Sequence, residues 1–147
     1  MYHFKSAVAG TFDVLHKGHR VLIEEAFKRG EFVLVGITKD GFKEAKPMKV
    51  RKRNLDKLLR ARYPERYEIV EIEDELGPAV VNPDLDALIV SEETYSKAAV
   101  INKLRKEKGL KKLVIYKISM VLAADGKPIS SLRINKGEID KEGNLLK

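Results

Sequence analysis

Apolar and polar residues follow two periods along this chain, and the two take turns. Residues 32–38, 87–90 and 113–118 are nearly unbroken apolar runs, the pattern of strands covered on both faces, and residues 2–9, more mixed, read as a first strand buried from Phe4 to Ala9. Residues 67–72 alternate more, which predicts a third strand nearer a sheet edge. Between the strands the apolar positions fall at helical spacing. Val21, Leu22, Ala26 and Phe27 mark a helix over 17–28 that stops at Gly30. Leu55, Leu58 and Leu59 mark one over 50–63 ended by Pro64. Ala98, Ile101 and Leu104 mark a third over 94–108, closed by Gly109. Residues 39–49 are polar. Residues 74–84 carry Gly77, Pro78 and Pro83 and read as irregular, apart from one short turn or strand at 79–81. A loop with Asp125 and Gly126 leads to Ser130, which precedes a short final helix stopping at Gly137.

Strand and helix in alternation, with no internal repeat or low-complexity linker, predict an α/β fold. Five strands joined by right-handed crossovers make a doubly wound parallel sheet, and 147 residues suffice for one three-layer domain spanning 1–147. Ligands of such sheets sit beyond the carboxyl ends of the strands, where the strand order reverses.

The chemistry concentrates at that position. Residues 10–19, Gly-Thr-Phe-Asp-Val-Leu-His-Lys-Gly-His, follow the first strand and open the first helix. Two of the three histidines, His16 and His19, lie three apart and so share one helix face. They stand beside backbone N–H groups with no intrahelical partner and the positive end of the helix dipole, a place for anions such as a nucleotide triphosphate. Gly18 has no Cβ, so a ligand can approach the backbone there. Residues 127–134 repeat the logic: Ser130 or Ser131 caps a helix and offers a hydroxyl to phosphate, and Arg133 adds a planar charge.

The net charge of +7 suits nucleic acid, an anionic membrane or polyphosphate. However, the cations are interleaved with glutamates, most densely at 43–62 and 103–112, as on solvated helix faces. The five Phe and five Tyr mostly fall inside the strand and helix patterns, away from the exposed positions that base stacking requires. No apolar run is long enough to cross a bilayer and no signal-peptide pattern opens the chain, so a cytoplasmic protein is expected. With no cysteine, disulfides and thiolate metal sites are excluded; three histidines leave little for structural zinc, and any metal arrives with the substrate. A 35% share of charged residues without glutamine or cysteine is the bias of proteins from hot environments.

The G-T-F-D and H-x-G-H pattern of residues 10–19 resembles the signature of the nucleotidyltransferase superfamily. Residues 127–134 resemble its I-S-S-T-x-I-R motif, which holds the β- and γ-phosphates, with Leu132 where Thr or Ser is usual. Val90-Ser91-Glu92-Glu93-Thr94 with Asn102, Arg105 and Gly109 is similar to a segment of the archaeal and eukaryotic type of phosphopantetheine adenylyltransferase. The arginines of the bacterial R-G-x-R segment are missing. Lys46-Pro47-Met48 is similar to the family's substrate-binding lysine segment, with Lys43 the runner-up.

The resemblance implies a Rossmann-like nucleotidyltransferase fold and transfer of AMP from ATP to 4′-phosphopantetheine, releasing pyrophosphate. It implies catalytic roles for His16, His19, Lys46 and Arg133. Gly10, Thr11, Phe12, His16, Gly18, His19, Ser91, Glu92, Ser130, Ser131 and Arg133 would surround ATP. Thr11, Lys46 and Arg105 would take the acceptor, with Arg51 or Arg53 as alternatives to Arg105, and Asp13 would brace the turn. Magnesium is expected with ATP, and coenzyme A as product or inhibitor. Nucleic acid and membrane are not expected partners, and the assembly would be a monomer or a small homo-oligomer. The rival readings are a transferase of the same fold acting on nicotinamide mononucleotide, flavin mononucleotide or glycerol phosphate, and, more distantly, a basic RNA-binding module.

Overall fold

A computed structural model describes residues 3–41, 45–73 and 77–146. Tyr2, Lys43 and Asp74, which figure in the expectations above, lie outside the described residues. The chain forms β1 (His3–Gly10), α1 (Lys17–Arg29), β2 (Gly30–Thr38), α2 (Met48–Arg62), β3 (Tyr67–Ile72), α3 (Gly77–Val81), β4 (Ala87–Ser91), α4 (Glu92–Ala98), α5 (Ile101–Glu107), β5 (Val114–Ile118) and α6 (Ser131–Asn135). The five strands are parallel in the order β3-β2-β1-β4-β5, so the order reverses between β1 and β4. β3 lies at an edge, as its alternation predicts.

Both sheet faces are covered, which is why the strands read as apolar runs. On one face Val8, Val33, Val35, Ile37 and Ile89 pack with Ile23, Ala26 and Phe27 of α1 and Leu55 and Leu59 of α2. On the other, Ala7, Leu34, Leu88 and Val90 pack with Ala79, Ala98, Ile101 and Leu113. β1 matches β2 along nearly its whole length, yet meets β4 only at Ser6 with Ala87 and at Ala7 with Leu88. Past Ala7 the two strands share no further ladder pairs, and a cleft lined by Ala9, Leu22, Ser91 and Thr94 opens between their carboxyl ends.

Three expectations need correction. The helix expected over 94–108 begins at Glu92 and breaks after Ala98 into α4 and α5. Glu92 and Glu93 extend its start because carboxylates favour the positive end of the helix dipole. In α5 the buried stripe passes through Ile101 and Arg105, leaving Leu104 exposed. Gly30 does end α1, but with extended backbone (φ −130°) rather than a left-handed turn. It is required for close packing: a Cβ there would lie 2.5 Å from the Ser6 hydroxyl, which itself donates to the Ala26 carbonyl. Finally, the segment after β5 is more ordered than a loop. Antiparallel bridges pair Leu122 with Pro128 and Ile139 with Leu145, and Ala123, Ile129 and Ile139 form a small third core.

Candidate active site

The turn after β1 is built around a buried aromatic ring. Phe12 adopts a left-handed backbone conformation (φ 52°), which strains a bulky residue. Its ring is 1% exposed, lies beneath Gly10 and meets the edge of His19. A Cβ on Gly10 would come within 3.2 Å of that ring, so a side chain at this strand end would press on it. Phe12 therefore anchors the turn from inside and offers no ring to a nucleotide.

His16 is the N-cap of α1. Its Nδ1 accepts from the N–H groups of Gly18 (3.0 Å) and His19 (3.3 Å). The ring lies over Gly18, where a Cβ would be 2.8 Å from it. Gly18 thus makes room for the His16 ring. The Lys17 N–H donates to the Lys141 carbonyl and that of Arg20 to the His16 carbonyl. The first-turn donors expected to be free for an anion are therefore taken, and what remains for phosphate is the dipole and the two side chains.

The imidazoles of His16 and His19 stack with centroids 3.8 Å apart. His19 Nδ1 lies 2.8 Å from the Val14 carbonyl; a carbonyl only accepts, so this nitrogen carries hydrogen. His16, accepting at Nδ1, carries its hydrogen on Nε2, whereas neutral His19 has a bare Nε2 and donates there only when protonated. Burial, with the neighbouring His19 and Arg20 charges, pushes the His16 pKa down to about 3. Burial pushes that of His19 down to about 4, against the Val14 bond and the Asp13 charge.

Asp13 joins three segments. Its carboxylate accepts from the Lys46 N–H (2.8 Å) and the Asn135 amide (3.2 Å), and its carbonyl lies 3.4 Å from Lys46 Nζ. Burial raises its pKa, but these bonds and the Lys46 and Arg51 charges outweigh it and hold the carboxyl below its usual value. Arg51, 1% exposed, donates from Nε to the Lys46 carbonyl (2.7 Å) and from Nη1 to that of Thr11 (2.8 Å). The buried Thr38 hydroxyl meets that of Thr11 at 3.2 Å. Arg53 is exposed on α2. Asn135 and Thr38 carry no local sequence signal, since each acts across a long stretch of chain.

α6 closes the other side. Ser130 accepts from the Arg133 N–H as N-cap, and the Ser131 hydroxyl accepts from the Val14 N–H at 3.4 Å, joining the two motifs. Leu132 is 63% exposed, so its departure from the family pattern carries no packing role. Arg133 is already engaged: its guanidinium meets Asp125 at 2.5 Å, Glu138 at 3.1 Å and the Pro128 carbonyl at 3.1 Å. The bond to Asp125 leads in raising its pKa. These contacts tie the 125–128 turn to α6. At the cleft, Ser91 pairs with Thr94 at 3.2 Å and Glu92 is exposed.

Arg105 lies elsewhere. It is fully buried and donates to the carbonyls of Lys111 (2.7 Å), Ala79 (2.8 Å) and Asn82 (2.8 Å). Asn82 and Lys111 precede β4 and β5, at the amino end of the sheet, so the expected substrate contact is replaced by a structural brace. Arg105→Ala should lower stability by about 3 kcal/mol in urea unfolding and leave acceptor KM unchanged. A raised KM in the folded variant would restore a substrate role.

The histidines also set an acid limit. Both are neutral in the fold at pH values where the unfolded chain, near 6.5, already binds protons. Their stabilisation is complete above pH 6.5 and falls as pH drops from there to the folded values of about 4 and 3. The Asp13, Asp125 and Asp140 carboxyls are held below their ordinary value, so they leave the upper part of this window to the histidines. His16→Asn, which keeps a capping acceptor without titrating there, should lose less stability between pH 7 and 5 than the parent. Equal losses in urea titrations at the two pH values would contradict this.

No group of three or more His, Cys, Asp or Glu side chains among the described residues could hold a metal ion. No helix among them is long and apolar enough to cross a membrane.

The pattern of the cytidylyltransferase-like family matches residues 7–137. The phosphopantetheine adenylyltransferase of Methanothermobacter thermautotrophicus is 44% identical over 146 residues, covering 96% of this chain and 88% of that protein. That of Methanosarcina barkeri is 45% identical over 152 residues, covering 97% and 93%. Among solved structures, a protein of unknown function from Archaeoglobus fulgidus superposes with a TM-score of 0.70 at 35% identity, over 78% of this chain and 89% of that one.

Proposed function

Because this chain belongs to the cytidylyltransferase-like family and, within it, to the phosphopantetheine adenylyltransferases, we propose that it transfers AMP from ATP to 4′-phosphopantetheine, forming dephospho-coenzyme A and pyrophosphate. The observation that supports the reading is the convergence of His16, His19, Lys46 and Ser131 about the turn that follows β1, the strand at which the sheet order reverses.

The nucleophile is an anionic phosphate oxygen, so no general base is needed. Its bond to the α-phosphorus forms as the bond to the pyrophosphate oxygen breaks, in line, and catalysis rests on positioning and charge. Lys46 draws the acceptor phosphate toward the turn, held there by Asp13 and by Arg51 beneath it. His16 donates from Nε2 to a phosphate oxygen. His19 gains a proton as polyanion enters, then donates from its own Nε2 while Nδ1 stays on Val14. Ser131 borders the leaving pyrophosphate. Magnesium would come with ATP, largely water-ligated, and lower the charge of the phosphates. With this activity go a cytoplasmic location and a monomeric or small homo-oligomeric assembly.

The test is incubation with ATP, magnesium and a panel of phosphorylated acceptors while pyrophosphate is followed. Phosphopantetheine should be consumed. Turnover of nicotinamide mononucleotide, flavin mononucleotide or glycerol phosphate, with none of phosphopantetheine, would overturn the assignment.

A further inference from the structure

The pyrophosphate end of the cleft must receive several negative charges, yet the cations nearest to it are largely committed. Arg133 is held by Asp125 and Glu138. Arg51 is buried beneath the turn, and Lys46 stands by Asp13 on the acceptor side. Leu132 supplies no hydroxyl.

Arg20 is placed differently. It lies one helical turn beyond His16, on the same face of α1. Its side chain is 28% exposed, and its ion-pair partner among the described residues is the carboxylate of Glu142, itself 54% exposed. Glu142 sits on a turn fixed from within: the Asp140 carboxylate accepts from the N–H groups of Glu142 and Asn144, each at 2.9 Å. The turn is pinned to the start of α1 by the bond from the Lys17 N–H to the Lys141 carbonyl at 2.9 Å. Glu142 therefore holds a partly exposed guanidinium beside the histidine pair. An exposed ion pair is weak and readily exchanged, whereas a polyphosphate offers the guanidinium fork a bidentate partner of higher charge.

We propose that Arg20 is a further triphosphate-binding residue, exchanging Glu142 for the β- and γ-phosphates of the incoming nucleotide, with Glu142 as the carboxylate that holds it ready. This rests on the adenylyl-transfer reading and adds to it a contact with the leaving group.

The two partners give the test its direction. Arg20→Gln and Glu142→Gln break the same ion pair, so a purely structural pair predicts shifts of the same sign. The proposal predicts opposite signs. Calorimetry with inorganic tripolyphosphate and magnesium should show binding about 10- to 30-fold weaker in Arg20→Gln. In Glu142→Gln it should be about 2- to 5-fold tighter, because the competing carboxylate is gone. KM for ATP should move with these affinities. Arg20→Lys should keep part of the binding. Shifts in one direction for both variants, or in neither, would overturn the role of Arg20. If the signs are opposite but phosphopantetheine is not adenylylated, the reaction assignment fails and Arg20 stands as a polyphosphate contact. Should Arg20→Gln fail to fold, unchanged affinity in Glu142→Gln would overturn the proposal and tighter binding would support it.

Discussion

Replacing His19 by alanine should lower turnover by roughly 10²–10³ and raise the ATP dissociation constant much less, because a donor to charge that grows in the transition state contributes about 3–4 kcal/mol to barrier lowering. The imidazole has a second duty that alanine also removes: it packs against His16 and Phe12 and donates to the Val14 carbonyl. His19→Asn separates the two, since an asparagine amide reaches Val14 as Nδ1 does but has no equivalent of Nε2. Both variants should lose turnover alike, with Asn retaining more thermal stability. Pre-steady-state rates of dephospho-coenzyme A formation at saturating ATP decide the matter. Near-parent rates in His19→Asn would mean that the ring serves the turn alone.

Arg51→Met should carry the next largest effect. Methionine roughly fills the volume but leaves the Thr11 and Lys46 carbonyls without their buried donor. A loss of about 3 kcal/mol in stability is expected, since two charge-assisted bonds vanish and two carbonyls stay unpaired. Asp40, the exposed carboxylate 3.7 Å from Arg51, simply rehydrates. Because Lys46 is then held only through Asp13, kcat/KM for the acceptor should fall about 10- to 100-fold in protein shown to be folded, with KM for ATP nearly constant. Arg51→Lys should recover little, as one ammonium cannot span both carbonyls. Full recovery with lysine would mean that Arg51 acts as a charge on the phosphates.

What the sequence disclosed and what it hid divide along physical lines. The sheet was legible because its strands are covered on both faces and so read as apolar blocks. The position of the first motif followed from the strand before it and the helix after it. Hidden was everything decided by which distant group folds beside a given side chain. Arg133 and Arg105 show their charge in the sequence, but not that the first meets Asp125 and the second three carbonyls at the far end of the sheet. Gly18 looked like an opening for ligand because the placement of the His16 ring over it is a tertiary fact. The break between α4 and α5 was masked by apolar spacing that runs through it. The bridges at Leu122 with Pro128 and Ile139 with Leu145 are too short to leave a period.

The bonds from Val14 to Ser131, from Asn135 to Asp13 and from Lys17 to Lys141 draw the first motif against residues made more than a hundred positions later. During synthesis the histidine pair thus emerges long before its opposite wall. A nascent chain that has released only the sheet lacks one side of the nucleotide site proposed above, and ligand stabilises only those states that bind it. ATP can therefore reward the last step of maturation but not the early ones, and the sheet must hold together on its own hydrophobic contacts until residues 131–142 leave the ribosome.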